Sequence, residues 1–219
     1  MTESRSTIST EQLPQTIPVF PLSGALLLPR GRLPLNVFEP RYLAMVDTAL
    51  AGERIIGIIQ PDEDAPDGPA PPLRTVGCAG RISSFSETED GRYLITLTGI
   101  CRFSVLEEIV TTTSFRLCRV TAEPFSGDFL VSGENDVDRE GLLDAFRAYL
   151  DANELEADWD NVDAASNESL VNAMAMIAPY GPAEKQALLE APDLKTRAET
   201  LVALAEIALE HESSGRRLQ

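Results

Sequence analysis

The sequence predicts an α+β chain, a small β barrel carrying one inserted helix and followed by a C-terminal helical bundle. Three observations predict it. The apolar residues of Arg74 to Pro124 alternate or run in short blocks between turn signals, as strands do. Residues after Asn135 instead repeat at three and four, as helices do. Between them Phe125 to Asn135 (FSGDFLVSGEN) carries two Ser-Gly turns and no period, which marks a linker.

Met1 to Gln15 is polar and unpatterned, so a flexible N-terminus is expected over 1–15. The barrel is then assigned to 16–124, opening with short strands from Ile17. In Pro40 to Ala51, Leu43, Val46 and Leu50 recur at helical spacing, Pro40 suits the first helical position, and Gly52 is placed for a left-handed stop. Arg54 to Gln60 (RIIGIIQ) is a continuous apolar run of strand length, expected to be covered on both faces. Pro61 to Pro72 holds five prolines and four acids and reads as an exposed loop. Beyond it, Arg81 to Ser86 and Arg92 to Gly99 flank Asp90-Gly91, a hairpin signal, and Ile100 to Ile109 and Phe115 to Ala122 continue the meander.

The bundle is assigned to 136–212, with 213–219 as a flexible C-terminus. Leu142, Phe146, Tyr149 and Leu150 form one stripe, and Leu170, Met174 and Ile177 another with Asn167 as N-cap. Pro182 to Glu190 is a short helix, and Asp193 caps a last one whose stripe is Leu194, Ala198, Leu201, Ala205 and Ala208. Trp159, alone in an acidic loop, is expected to pack between helices.

With 43% hydrophobic residues in 219, the chain has enough apolar surface for a sizeable core. Its net charge of −17 is uneven: −3 for Met1 to Val120 and −14 for Thr121 to Gln219. Such a field repels phosphate backbones, so nucleic acid is not an expected partner. The acids of Glu134 to Glu168 read as a solvated helix face rather than a docking surface. Cys78, Cys101 and Cys118 are odd in number and lie in apolar runs, which suits reduced thiols in the cytoplasm. No segment approaches the roughly 20 apolar residues of a membrane span, so no membrane partner is expected either.

Catalytic sets are missing. One histidine, His211, supports neither a metal pair nor a triad, and Cys-x-x-Cys and GxxxxGK[ST] are absent. Lys185 and Lys195 fall in short helices where a solvated lysine is the ordinary outcome. No catalytic residue, metal ligand or cofactor is therefore assigned. Among charged residues Glu39 and Arg41 stand out, with Phe38 and Tyr42 beside them. Glu39 either caps the helix and pairs with Arg81 or Arg102, or joins Arg41 in recognising a peptide. As a cap its loss would cost about 1 to 3 kcal/mol. Phe38 and Tyr42 are either core or, for Tyr42, a hydroxyl presented at a groove.

The run FPLSGALLLPRGRLPLNVFEPRYLAMVDTALAG, followed by VGCAGRI, DGRYLITLTGICRFSVLEE and the helical tail, resembles the Lon protease N-terminal domain, also called the Lon substrate-binding domain. The likeness extends from Ile17 to about Glu210, and its most specific part is Phe38-Glu39-Pro40-Arg41-Tyr42. Asn36 departs from it, standing where a histidine is the family expectation. The resemblance implies a PUA-like β pseudo-barrel and helical bundle, in a free-standing form without ATPase or protease domains. It also implies a non-catalytic module that binds unfolded or apolar protein segments, delivering them to a separate protease or chaperone. Phe38, Glu39, Arg41 and Tyr42 are the candidate contacts. A competing reading is a barrel that holds a small molecule or nucleotide, as PUA-like folds can. Oligomeric state is not predicted.

Overall fold

The computed structural model of the chain describes residues 13–62, 71–152 and 156–216. The expected flexible N-terminus falls mostly outside them, as does most of the proline-rich loop. Contacts divide the chain into two compact units between Leu130 and Val131.

The first unit is a six-stranded sheet closed on itself. Its strands are β1 (Thr16–Pro21), β2 (Arg32–Val37), β3 (Ile55–Pro61), β4 (Leu73–Glu87), β5 (Tyr93–Ile109) and β6 (Arg116–Thr121), with helix α1 (Pro40–Ala51) between β2 and β3. The order is β2-β5-β4-β3-β1-β6, and β5 also pairs β6, so β1, β3, β4, β5 and β6 form a ring with β2 as an outer flank. Only β1 and β3 run parallel. This is the expected pseudo-barrel.

The sequence divides Tyr93–Ile109 into two strands, but it is one of 17 residues. Gly99, the apparent break, is a close approach: a Cβ there would lie 2.0 Å from the Leu28 carbonyl oxygen. Its missing side chain lets the buried Leu26–Leu28 segment lie against the strand, tied by Arg30 N–H to Gly99 O and Gly99 N–H to Gly31 O, both 2.9 Å. Shifts of register at Ala79/Gly80 and Val105/Glu107 bend β4 and β5 around the barrel, as bulges do. Inside, Phe103 is fully buried among Ile17, Ile55, Cys101, Cys118 and Val120. A Cβ on Gly57 or Gly77 would come within 2.9 or 2.5 Å of its ring, so the two glycines make room for the phenyl group that fills the interior.

The β3 run is buried from Ile55 through Gln60, as a strand covered on both faces must be. Helix α1 has the predicted bounds, but its buried face is Tyr42, Met45, Val46 and Ala49, with Leu43 and Leu50 only half-buried. Its end also differs. Gly52 is not left-handed (φ −118°), and Arg54 takes that conformation instead (φ +60°), donating to Ala49 O at 2.9 Å.

The linker assigned to 125–135 is not loose throughout. A 3-10 turn spans Glu123–Phe129. Its buried Asp128 accepts Arg102 Nε at 2.9 Å, Arg102 Nη2 at 2.7 Å and the Arg102 backbone N–H at 2.8 Å. Arg30 Nη1 binds the Asp128 carbonyl at 2.5 Å. A fork-shaped guanidinium meeting both carboxylate oxygens satisfies groups that burial would otherwise leave unpaired.

The second unit contains α2 (Arg139–Ala152), α3 (Trp159–Ala164), α4 (Asn167–Ile177), α5 (Pro182–Glu190) and α6 (Leu194–Arg216). Helix α3 is unanticipated, begun by Asp158, whose side chain accepts from Asn161 N–H at 3.3 Å. The N-cap of α4 is Ser166 rather than Asn167. Helix α6 continues through Arg216, past the assigned end of the bundle.

Candidate functional site

The four sequence-selected residues separate into different environments. Phe38 is 62% exposed, with the Arg92 guanidinium 5.9 Å from its ring centre. Tyr42 is core: 8% exposed, its ring centre 4.1 Å from that of Phe20, and its hydroxyl pKa raised by burial. Glu39 makes no side-chain cap bond. It pairs instead with its neighbour Arg41 at 2.9 Å, both groups about half exposed, while Arg41 also lies 4.5 Å from the centre of the Tyr42 ring. The anticipated partners are elsewhere, for Arg81 donates to the Glu53 carbonyl and Arg102 to Asp128. Glu39 and Arg41 thus form an exposed ion pair, Phe38 is an exposed aromatic and Tyr42 belongs to the core. The neighbouring edge strand β2 has Pro34 at its centre, and a missing N–H there weakens it as a template for an added strand.

A concave apolar surface lies in the helical unit. A groove of about 500 Å³ is walled by Leu142, Phe146 and Tyr149 of α2, Met174 and Ile177 of α4, and Leu201 of α6. Val162 of α3 and Tyr180 also line it. The stripes were legible as helical faces, but their incomplete closure was not. Leu142 and Leu201 are buried, whereas Phe146, Tyr149 and Met174 are half-buried and Ile177 is 82% exposed. Burial pushes the Tyr180 hydroxyl up to about 12, with Tyr149 nearby adding to the shift. Trp159 supports the wall, its ring edge-on to Phe146 at 6.2 Å and covered by Arg147 at 4.7 Å.

Charges hold these helices at their ends. Asp138, Asp158 and Asp193 accept backbone N–H groups in the first turns of α2, α3 and α6, and Glu134 accepts those of Asn167 and Glu168 in α4. The bond from Thr196 N–H also lowers the Asp193 pKa. At the other ends Arg139 donates to the carbonyls of Val162, Asp163 and Ala165. Arg197 donates to Leu188 O at 2.9 Å, and Lys185 to Met176 O at 3.1 Å. Negative groups at N-termini and positive ones at C-termini complement the helix dipoles. Lys185 therefore corrects the sequence expectation of a solvated lysine: it is 7% exposed, and burial lowers its pKa.

Among the described residues no group of three or more His, Cys, Asp or Glu side chains could hold a metal ion. No described helix is long and apolar enough to cross a membrane. All three cysteines are free and buried.

The family model described as the ATP-dependent protease La (LON) substrate-binding domain matches residues 16–206. The chain belongs to that family. Lon protease 2 of Myxococcus xanthus is 28% identical over 207 residues, which is 90% of this chain and 24% of that protein. The Lon protease of Anaeromyxobacter dehalogenans gives the same identity and the same coverage. The chain thus spans about a quarter of the length of these curated relatives. Two solved structures share the fold of this Lon substrate-binding domain. A Lon N-terminal domain protein from Xanthomonas campestris has a TM-score of 0.58 at 22% identity, covering 86% of this chain and 97% of that one. The N-terminal domain of a Mycobacterium avium complex Lon protease has 0.57 at 18%, covering 87% and 98%.

Proposed function

We propose that this Lon substrate-binding domain is a non-catalytic substrate-recognition module of the cytoplasm that binds apolar segments of unfolded proteins in the groove of its helical unit. The observation that carries the reading is the groove itself, an open apolar surface walled by half-buried aromatics and the exposed Ile177. Leaving such side chains in water is unfavourable by roughly 25 cal/mol per Å², and an apolar client side chain would relieve it. A groove of that kind has no hydrogen-bonding pattern to select one sequence, so many clients fit it weakly. Dissociation constants of about micromolar or poorer, near −8 kcal/mol, are expected. Phe38 and the Glu39–Arg41 pair offer an accessory contact on the barrel unit, and a separate protease or chaperone would receive the client.

The competing small-ligand reading needs space within the barrel, where Phe103 already packs against Gly57 and Gly77. A photo-crosslinking apolar peptide, followed by mapping of the modified residues, tests the proposal. Labels on α2 and α4 around Phe146 and Ile177 are expected. Labels confined to the barrel strands would overturn it.

A further inference from the structure

We propose that the groove selects apolar segments flanked by lysine or arginine, an inference that rests on the reading of the groove as a client site. Residues 131–219 hold 19 acids and 7 bases. The five bases with described side chains are already engaged within the unit. Arg139, Lys185 and Arg197 donate to backbone carbonyls. Arg147 pairs with Asp144 at 3.0 Å, and Lys195 with Glu199 at 3.8 Å. Four acids, Glu134, Asp138, Asp158 and Asp193, are used as helix caps.

One further acid stands in the groove wall, and three more follow wall residues along the chain. Glu156 lines the groove, and Asp151, Asp163 and Glu206 directly follow the lining residues Leu150, Val162 and Ala205. All four are exposed. A client with an apolar anchor can seat that anchor among Phe146, Met174 and Ile177 while its flanking cations meet this acidic surround. Apolar walls of low dielectric concentrate the field at such a mouth. Acidic flanks are repelled by the same field. A second copy of this chain, itself carrying −17, is disfavoured as the occupant for that reason.

The test is a fluorescence titration with three peptides sharing one apolar core, Leu-Phe-Ile-Leu, flanked on each side by two lysines, two serines or two glutamates. At low salt the lysine peptide is expected to bind about tenfold more tightly than the serine peptide, with the glutamate peptide weakest, and at about 0.5 M salt the three should converge. The variant Glu156→Gln/Asp163→Asn/Glu206→Gln should reduce the lysine preference while leaving the serine peptide unchanged. Glu87→Gln/Glu89→Gln/Glu123→Gln, which removes as many exposed charges from the other unit, should not. Equal binding of the lysine and serine peptides at low salt would overturn the charge selection and leave the groove reading intact. An equal loss of preference in both triple variants would also overturn it, by tracing the effect to net charge alone. Failure of all three peptides to bind would remove the groove reading itself.

Discussion

The two units differ in how their interiors are filled and in where their charged contacts sit. In the barrel unit a phenyl group fills the interior, and the buried Arg102–Asp128 pair ties a turn to a strand. In the helical unit the principal charged contacts sit at helix ends, and the apolar faces meet without closing. The contrast is one of packing: Phe103 fills the barrel interior against Gly57 and Gly77, while the helical unit keeps an open apolar seam, the surface proposed above for client segments. Substitutions in one unit should therefore register mainly as stability, and in the other mainly as binding.

The largest expected effect is on the barrel. Asp128→Ala leaves the Arg102 guanidinium buried without its carboxylate, and breaking such a pair costs about 3 to 5 kcal/mol. Urea unfolding followed by circular dichroism measures it. A change below about 1 kcal/mol would mean that water reaches Arg102 and that the barrel is looser than its packing indicates.

The next effect is a loss of stability in alkali. Burial pushes the Cys101 thiol up to about 12 and the Cys118 thiol up to about 11, from the ordinary 9.0. Above about pH 9 the unfolded chain releases these protons while the folded chain keeps them. Their contribution is thus fully present below that pH and is lost as pH rises through the folded values. Each thiol lowers stability by about 1.4 kcal/mol per pH unit within that window. Lys185 acts in the opposite sense: burial lowers its pKa below 10.5, so its penalty shrinks as pH rises toward that value. Comparison with Cys101→Ala isolates one thiol, and the variant should show a shallower decline between pH 9 and 10.5. An unchanged slope would contradict the assignment.

The smallest effect is at Glu39. With no cap bond and a half-exposed partner, Glu39→Ala should cost less than about 1 kcal/mol, below what a helix cap would imply. A shift of 2 kcal/mol in a urea melt would restore the capping role.

Much of the fold was legible because periodicity and turn chemistry are local. Pro40, Asp90-Gly91, Pro182 and Asp193 each mark an element boundary through their own backbone or side chain. What was illegible depends on distant partners. Gly99 reads as a strand break until Leu28 lies against it. Asp128 reads as part of a linker until Arg102 meets it, 26 residues away in sequence. Lys185 reads as solvated until the carbonyl of Met176 receives it. The same limit applies to the candidate site. The residues at Phe38 to Tyr42 stood out by their local pattern, whereas the groove residues were recognised only as stripes. A stripe reveals that a helical face is apolar and says nothing about whether its neighbours cover it.

The most direct test compares binding of one unfolded apolar peptide to the unaltered chain, to Ile177→Asp and to Phe38→Asp. Both positions are exposed, so neither change should disturb folding by more than about 0.5 kcal/mol. The account predicts a loss of about tenfold or more in Ile177→Asp and a change within about twofold in Phe38→Asp, tenfold corresponding to 1.4 kcal/mol. Full binding by Ile177→Asp together with its loss in Phe38→Asp would contradict it and move client recognition to the barrel unit.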